Sequence, residues 1–422
     1  MHDLMMPAFL PGLLIALAFI ALAGVVFEEV IHLNKAKTTL FLGTLGWMLM
    51  FALSQGETHE RILEALQENI GDIAGLWLFL MAAMTFVVYL NKKGMIEKII
   101  YWLLPANISE RALLFITGGF AFVFSSLADN ITATLVSIAL VLSLNLPIRN
   151  TLRFATLVVF AVNSGGVALI TGDVTTLMIF LAGKVSITDL LMLSVPSLIA
   201  VIVLAILLSI PLKGKVAIET REIDVRPVDR VIALVFFLTI VSTIAGNVLF
   251  GIPPVLSFLF GLSLMFLLAH FFNEDIENDP VLDYIRHIEF DTLLFFLGIL
   301  LLVGMLKEVH ALDALLNMYQ FMPTAVANYS MGLLSAAIDN VPLTAALLKS
   351  GVNMPLADWM CLTYAVGVGG SLLIIGSAAG IVAMSKVKEL TMAAYFRLII
   401  PLMIAYSIGY GCVFALGHYV IK

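Results

Sequence analysis

Ser125-Ser126-Leu127-Ala128-Asp129-Asn130 and Ser335-Ala336-Ala337-Ile338-Asp339-Asn340 interrupt two long apolar stretches, residues 111–144 and 324–349. Both follow the pattern S-x-x-x-D-N-x-x-x-T, which closes on Thr134 in the first and Thr344 in the second. Each stretch reads as two short helical arms around a polar centre, the form of a re-entrant hairpin. Irregular backbone at membrane depth is tolerated only where it is buried in protein or lines a cavity.

The surroundings of the two hairpins also correspond. Each second arm ends near a proline, Pro147 or Pro355, and each is followed by a long helix with a glycine-rich break. The first break is Ala161-Val162-Asn163-Ser164-Gly165-Gly166 with Thr171-Gly172-Asp173, and the second is Ala365-Val366-Gly367-Val368-Gly369-Gly370 with Gly376-Ser377. Upstream, Asp72 and Asp291 are each expected to open a spanning helix.

The 422 residues are 61% hydrophobic and 12% charged, with a mean hydropathy of +1.08. Soluble domains carry roughly 25% charged residues, so the bilayer must be the main solvent and no separate soluble domain fits. The net charge of −7 points to no nucleic-acid partner. Cys361 and Cys412 lie in apolar runs without metal-site spacing. The first apolar run has no basic region before it and reads as a retained helix rather than a signal peptide.

A ~30 Å hydrocarbon layer takes about 20 apolar residues per helical crossing. Hydropathy places spans at 8–28, 38–54, 73–90, 152–182, 189–210, 230–250, 254–271, 291–306, 358–384 and 395–417, with both hairpins set among them. If each hairpin enters and leaves on one face, the loops fall into two sets. One holds all but Arg61, Lys184, Lys307, Lys349 and Lys422 of the 22 basic residues. The positive-inside rule makes that set cytoplasmic. Both termini then face the periplasm, and the hairpins enter from opposite sides.

Residues 1–225 and 226–422 thus form two repeats, each of five spans and one hairpin. Five is odd, so the second repeat is inverted. The fold class is an all-α polytopic membrane protein with discontinuous helices at its site. Secondary transporters are commonly built this way, with the site at the repeat interface, so the chain is expected to be a transporter and not an enzyme.

Asp129, Asp173 and Asp339 are carboxylates inside apolar segments, which makes them functional candidates. The plain alternative is that each only caps a half-helix. Broken helices free backbone carbonyls, Asn130, Asn163, Asn340 and nearby Ser/Thr hydroxyls add neutral oxygens, and glycines let the backbone approach an ion. Oxygen ligation with one to three carboxylates suits an alkali cation, and the same carboxylates can take protons when the ion leaves. Neither core motif holds Lys or Arg, which weakens an anion reading. Glu57, Glu60, Glu64 and Glu68 recur at helical spacing in an outward loop and read as one solvated helix face. Glu28 and Glu29, beside Lys35, read as interfacial, and His32, His287 and His310 suggest no metal site.

These duplicated motifs resemble the NhaD-type sodium/proton antiporters of the ion-transporter superfamily, over nearly the whole chain. The resemblance implies exchange of Na⁺, and also Li⁺, for H⁺ across the inner membrane without a cofactor. It further implies a homodimer in the lipid, with scaffold and transport domains and elevator-type movement. Residue by residue it implicates Asp129, Asn130, Asn163, Asp173, Thr175 and Thr176, then Ser335, Asp339, Asn340, Ser371 and Ser377. Ser377 stands where the first break has Asp173, so the half-sites are unequal and the principal Na⁺ site is expected at Asp129, Asn130, Asn163 and Asp173. Two rivals remain. One is an arsenite or carboxylate carrier of the same superfamily. The other is a membrane aspartyl protease, suggested by Gly172-Asp173 but lacking the rest of that motif, since Asp283-Tyr284 is the reversed pair.

Overall fold

The computed structural model describes residues 7, 9–26, 28–31, 33–105, 107–218, 225–271 and 284–421. His32, Asp283 and the side chain of Glu29 lie outside the described residues.

The described chain is almost wholly helical. The first part contains α1 (Leu10–Val26), the single turn α2 (Glu28–Ile31), α3 (Lys35–Leu53), α4 (Glu57–Lys92) and α5 (Met95–Leu103). Next come α6 (Glu110–Leu127), α7 (Asn130–Ser143), α8 (Ile148–Gly166), α9 (Val174–Leu181) and α10 (Ile187–Ser209). The later part contains α11 (Pro227–Phe250), α12 (Pro254–Phe271), α13 (Phe290–Glu308), α14 (Asp313–Phe321), α15 (Thr324–Ser335) and α16 (Asn340–Lys349). It closes with α17 (Leu356–Gly369), α18 (Ala378–Lys386), α19 (Met392–Phe396) and α20 (Ile399–Ala415), the last running into a π-helical turn, Leu416–Ile421. Among the described residues, eight helices are long and apolar enough to cross a bilayer. The protein is therefore a polytopic membrane protein.

Three details depart from the sequence reading. α4 runs unbroken for 36 residues, about 54 Å at 1.5 Å per residue. Glu57, Glu60, Glu64 and Glu68 are exposed in its first turns, the solvated helix face that was expected, but continuous with the spanning helix rather than set apart in a loop. Asp72 consequently lies inside α4 instead of opening a helix, whereas Asp291 does lie in the first turn of α13. The first arm of the first hairpin, α6, has 18 residues, as many as the shortest candidate spans, where a short arm was expected. A two-stranded antiparallel ribbon, β1 (Asn107–Ser109) with β2 (Lys215–Ala217), was not anticipated.

Helix packing sorts the chain into two bodies. α3 packs most closely on α13, and α1, α4, α11 and α12 join them. The other body pairs α6 and α7 with α8, α15 with α17, and α10 with α20. At its centre the packing is reciprocal. α7 of the first hairpin meets α18 after the second break, and α16 of the second hairpin meets α9 after the first break. Both broken helices are enclosed: Phe154–Gly166 of α8 and Ala357–Gly369 of α17 are buried without interruption. Such helices have no lipid-facing side, so their breaks face protein alone. α16 also packs on α13, which brings the two bodies together beside the breaks.

Close backbone approach needs glycine at two equivalent places. A Cβ at Gly165 would collide with the Phe122 carbonyl oxygen, and one at Gly369 with that of Gly332. Each break is thereby pressed against the first arm of its own hairpin.

Candidate functional site

Four half-helices begin at the centre of the molecule. Asp129 caps α7, accepting Thr132 N–H at 2.9 Å with one oxygen and Thr132 Oγ1–H at 2.8 Å with the other. Asp173 caps α9 through Thr175 N–H at 3.0 Å. Asp339 caps α16 through Val341 N–H at 3.2 Å, and Ser377 caps α18 through Gly380 N–H at 3.4 Å. The plain capping role is therefore real for every one of them. Each helix N-terminus carries roughly half a positive charge, which favours the carboxylates placed there.

What distinguishes Asp173 is its second oxygen. Asp173 Oδ2 accepts Asn130 Nδ2–H and Asn340 Nδ2–H, both at 3.1 Å. One asparagine comes from each hairpin, so the two Asp-Asn motifs meet on a single carboxylate. Hydrogen bonds to a charged acceptor contribute about 1.5–3 kcal/mol each, enough to fix both hairpin tips against the first break. Gly172 lets that break reach the hairpin, since a Cβ there would lie 2.6 Å from the Ser125 carbonyl oxygen.

The supporting hydroxyls match across the halves. Ser125 Oγ lies 2.7 Å from Asn130 Oδ1 and donates to Val162 O at 2.8 Å, and Ser335 donates to Val366 O at 2.7 Å. Thr134 and Thr344 donate to the carbonyls of Asn130 and Asn340, at 2.7 and 2.8 Å. Their hydroxyls thus brace the first turns of α7 and α16. Ser371 donates to Val368 O, while its own carbonyl receives Tyr395 O–H.

A second group sits deeper. Asn163 donates to Val159 O at 2.8 Å and to Ser377 Oγ at 3.0 Å, joining the two breaks. Its Oδ1 has no hydrogen-bond partner, and neither do Ser164 Oγ, Thr175 Oγ1 or Thr176 Oγ1, all on fully buried residues. Leaving a buried polar atom unpaired costs about 1–3 kcal/mol. These four oxygens lie on the helices that flank the first break, and each retains acceptor capacity that nothing in the protein uses. Among the described residues no group of three or more His, Cys, Asp or Glu side chains is arranged to hold a metal ion.

The three carboxylates share one cavity of about 100 Å³. Asp129, Asn130, Asp173, Asp339, Asn340 and Ser377 line it from the broken-helix body, and Phe295, Phe296, Met84 and Lys35 from the other. Lys35 is the residue that the sequence reading missed. Its Nζ lies 3.2 Å from Asp339 Oδ2 and 4.5 Å from the centre of the Phe295 ring. The two partners are 304 positions apart along the chain, and no local pattern links them. At the edge of the same region, Glu289 caps α13 and accepts Thr292 Oγ1–H at 3.2 Å. Burial first, then the nearby Asp129 carboxylate, push Glu289 up to about 7, with Thr292 and Lys35 opposing.

An all-helical membrane protein with carboxylates gathered at broken helices defines a transporter. The family model described as "Citrate transporter" matches residues 4–360. The chain belongs to this citrate transporter family. The sodium/proton antiporter NhaD of Vibrio cholerae is 31% identical over 395 residues, covering 86% of this chain and 83% of the relative. That of Vibrio parahaemolyticus is 30% identical, covering 84% and 93%, and that of Halomonas elongata is 30% identical, covering 92% and 85%. A family of transporters leaves the membrane-protease alternative without support.

Proposed function

We propose that this protein exchanges Na⁺, and also Li⁺, for H⁺ across the cytoplasmic membrane. The observation that carries this reading is Asp173, a buried carboxylate on which asparagines from both hairpins converge. On the helices flanking the first break, the oxygens of Asn163, Ser164, Thr175 and Thr176 are buried without partners. A cation bound there gains the carboxylate charge and the neutral oxygens together. A proton arriving at Asp173 removes that charge, so ion and proton compete for one group. The relatives named sodium/proton antiporter support the same reading.

Citrate or another carboxylate fits less well. Ligand pockets for organic molecules run to about 300–1,000 Å³, against a cavity of about 100 Å³ here. Its one basic side chain, Lys35, is already paired with Asp339, and two further carboxylates would repel an anion.

In this reading residues 1–225 and 226–422 are inverted repeats, and the body of broken helices moves elevator-fashion against the body containing α3 and α13. The reciprocal packing of α7 on α18 and α16 on α9 supports the repeat. The distribution of basic residues supports termini on the periplasmic side. A homodimer completes the proposal.

Everted membrane vesicles holding a respiration-driven ΔpH test the function. Prompt collapse of ΔpH on adding Na⁺ or Li⁺, with little effect from K⁺, citrate or arsenite, is the expected result. No response to Na⁺ between pH 6 and 9 would sink the proposal.

A further inference from the structure

The three carboxylates of the cavity differ in what offsets their charge. Asp129 is held by Thr132, and Asp173 by two asparagine amides and a backbone N–H. All of these partners are neutral. Asp339 alone has an ammonium within ion-pair distance: Lys35 Nζ takes Oδ2, and Val341 N–H takes Oδ1. The pair is well sheltered, the lysine side chain being 19% and the aspartate 12% exposed.

The lysine is also anchored at its base. Lys35 N–H donates to Glu28 Oε1 at 3.0 Å, and the neighbouring Asn34 Nδ2–H donates to Asp291 Oδ2 at 3.0 Å. Both contacts tie the start of α3 to its own body, while the side chain crosses to the tip of the second hairpin. The face of Phe295 lies against the ammonium on the way, a placement that favours a cation. Glu289 is close enough to feel the same charge.

We propose that Lys35 is a tethered counter-cation: it neutralises Asp339 and so holds down the affinity of the Asp173 region for the transported cation. This positioning and tuning role rests on the cation-exchange reading above. Asp339 lies near enough to Asp173 to act on it electrostatically, and Asn340, the next residue, touches Asp173 directly. An unneutralised Asp339 would add its attraction to that of Asp173, and the ion would leave slowly. With Lys35 in place, the cation meets Asp173 and Asp129, whose partners are neutral, without the added attraction of Asp339, and release stays fast. The same ion pair spans the two bodies, so the neutralisation depends on how the hairpin sits against α3.

The test is ²²Na⁺ binding to purified protein together with Na⁺-driven exchange in proteoliposomes. Lys35→Gln is expected to lower the half-saturating Na⁺ concentration by roughly tenfold, with a reduced maximal rate. Asp339→Asn, which leaves the lysine unpaired, is expected to raise it. Lys35→Gln combined with Asp339→Asn should return it to within about threefold of the parent protein, and Lys35→Arg should hardly change it. Opposite shifts that cancel are not expected of a merely structural contact. Weaker binding in Lys35→Gln, or the same shift with and without Asp339, would overturn the proposal. In Na⁺-free buffer the two single variants should each lower the melting temperature and the double variant no further. Parent protein that neither binds nor exchanges Na⁺ would defeat the antiport reading and the tuning role together, while that thermal coupling would survive. Na⁺ binding by the parent with unchanged affinity in Lys35→Gln would defeat the tuning role alone.

Discussion

Replacing Asp173 by asparagine changes very little of the local shape. Asparagine is as good a helix N-cap as aspartate, so its oxygen can keep the 3.0 Å contact to Thr175 N–H and α9 should form. Its amide nitrogen then faces Asn130 Nδ2–H and Asn340 Nδ2–H, which now meet a donor where they had an acceptor. Turning the side chain over only moves the mismatch to Thr175. The variant therefore loses one or two charge-assisted hydrogen bonds, of about 1.5–3 kcal/mol each. For the cation the larger loss is the charge. At a separation of about 4 Å and an effective dielectric constant of 20, a unit charge pair contributes about 4 kcal/mol, or close to a thousandfold in affinity. Asp173→Asn is thus expected to fold and insert normally yet show no Na⁺-dependent ΔpH collapse at millimolar Na⁺. Fluorescence-quench assays on everted vesicles, with expression checked by size-exclusion chromatography, would measure both. Exchange at the parent rate and affinity in Asp173→Asn would refute the assignment of the principal site.

Thr175→Val and Thr176→Val remove hydroxyls that have no partner in the structure. Their melting temperatures in Na⁺-free buffer should be unchanged or higher, because an unpaired buried group is lost, while half-saturating Na⁺ rises severalfold; loss of stability without loss of affinity would contradict the ligand role. Gly165→Ala and Gly369→Ala each drive a methyl group into a carbonyl of the facing hairpin arm. Overpacking of this kind costs about 1–3 kcal/mol, which a thermal-shift assay would register as an earlier transition; unshifted transitions would mean that the breaks do not press on the hairpins. Glu289 carries a folded-state value raised to about 7 from 4.5, so its ionised form is disfavoured in the fold and stability declines as pH rises through that window. Glu289→Gln should therefore melt higher than the parent at pH 8, with the difference gone by about pH 4.5. The opposite ordering would show that Glu289 is stabilised as a carboxylate.

The fold was readable where physics forbids ordinary residues. An Asp-Asn pair inside an apolar stretch has few explanations other than a break, and α7 and α16 do begin at Asn130 and Asn340. The duplication of that pattern carried the transporter reading before any geometry. The site was readable in part. Asp173, Asn130 and Asn340 meet as a group, and Asn163 and Ser377 join the two breaks, but Thr134 and Thr344 spend their hydroxyls on the turn above them. Their spacing of four from each asparagine suits such back-bonding as well as ion ligation, and sequence alone could not separate the two. Lys35 escaped notice because it opens α3, far along the chain from Asp339, and a lysine at a helix end ordinarily reads as interfacial. The ribbon of β1 and β2 is too short to show alternation.

Competition between Na⁺ and H⁺ for one buried carboxylate is tested most directly by proton release. Purified protein in weakly buffered solution at pH 7 is titrated with NaCl, against choline chloride as control, and the pH change recorded. Saturable acidification by Na⁺ that is absent in Asp173→Asn is the predicted result. Saturable Na⁺ binding with no proton released, at any pH where exchange occurs, would contradict the account.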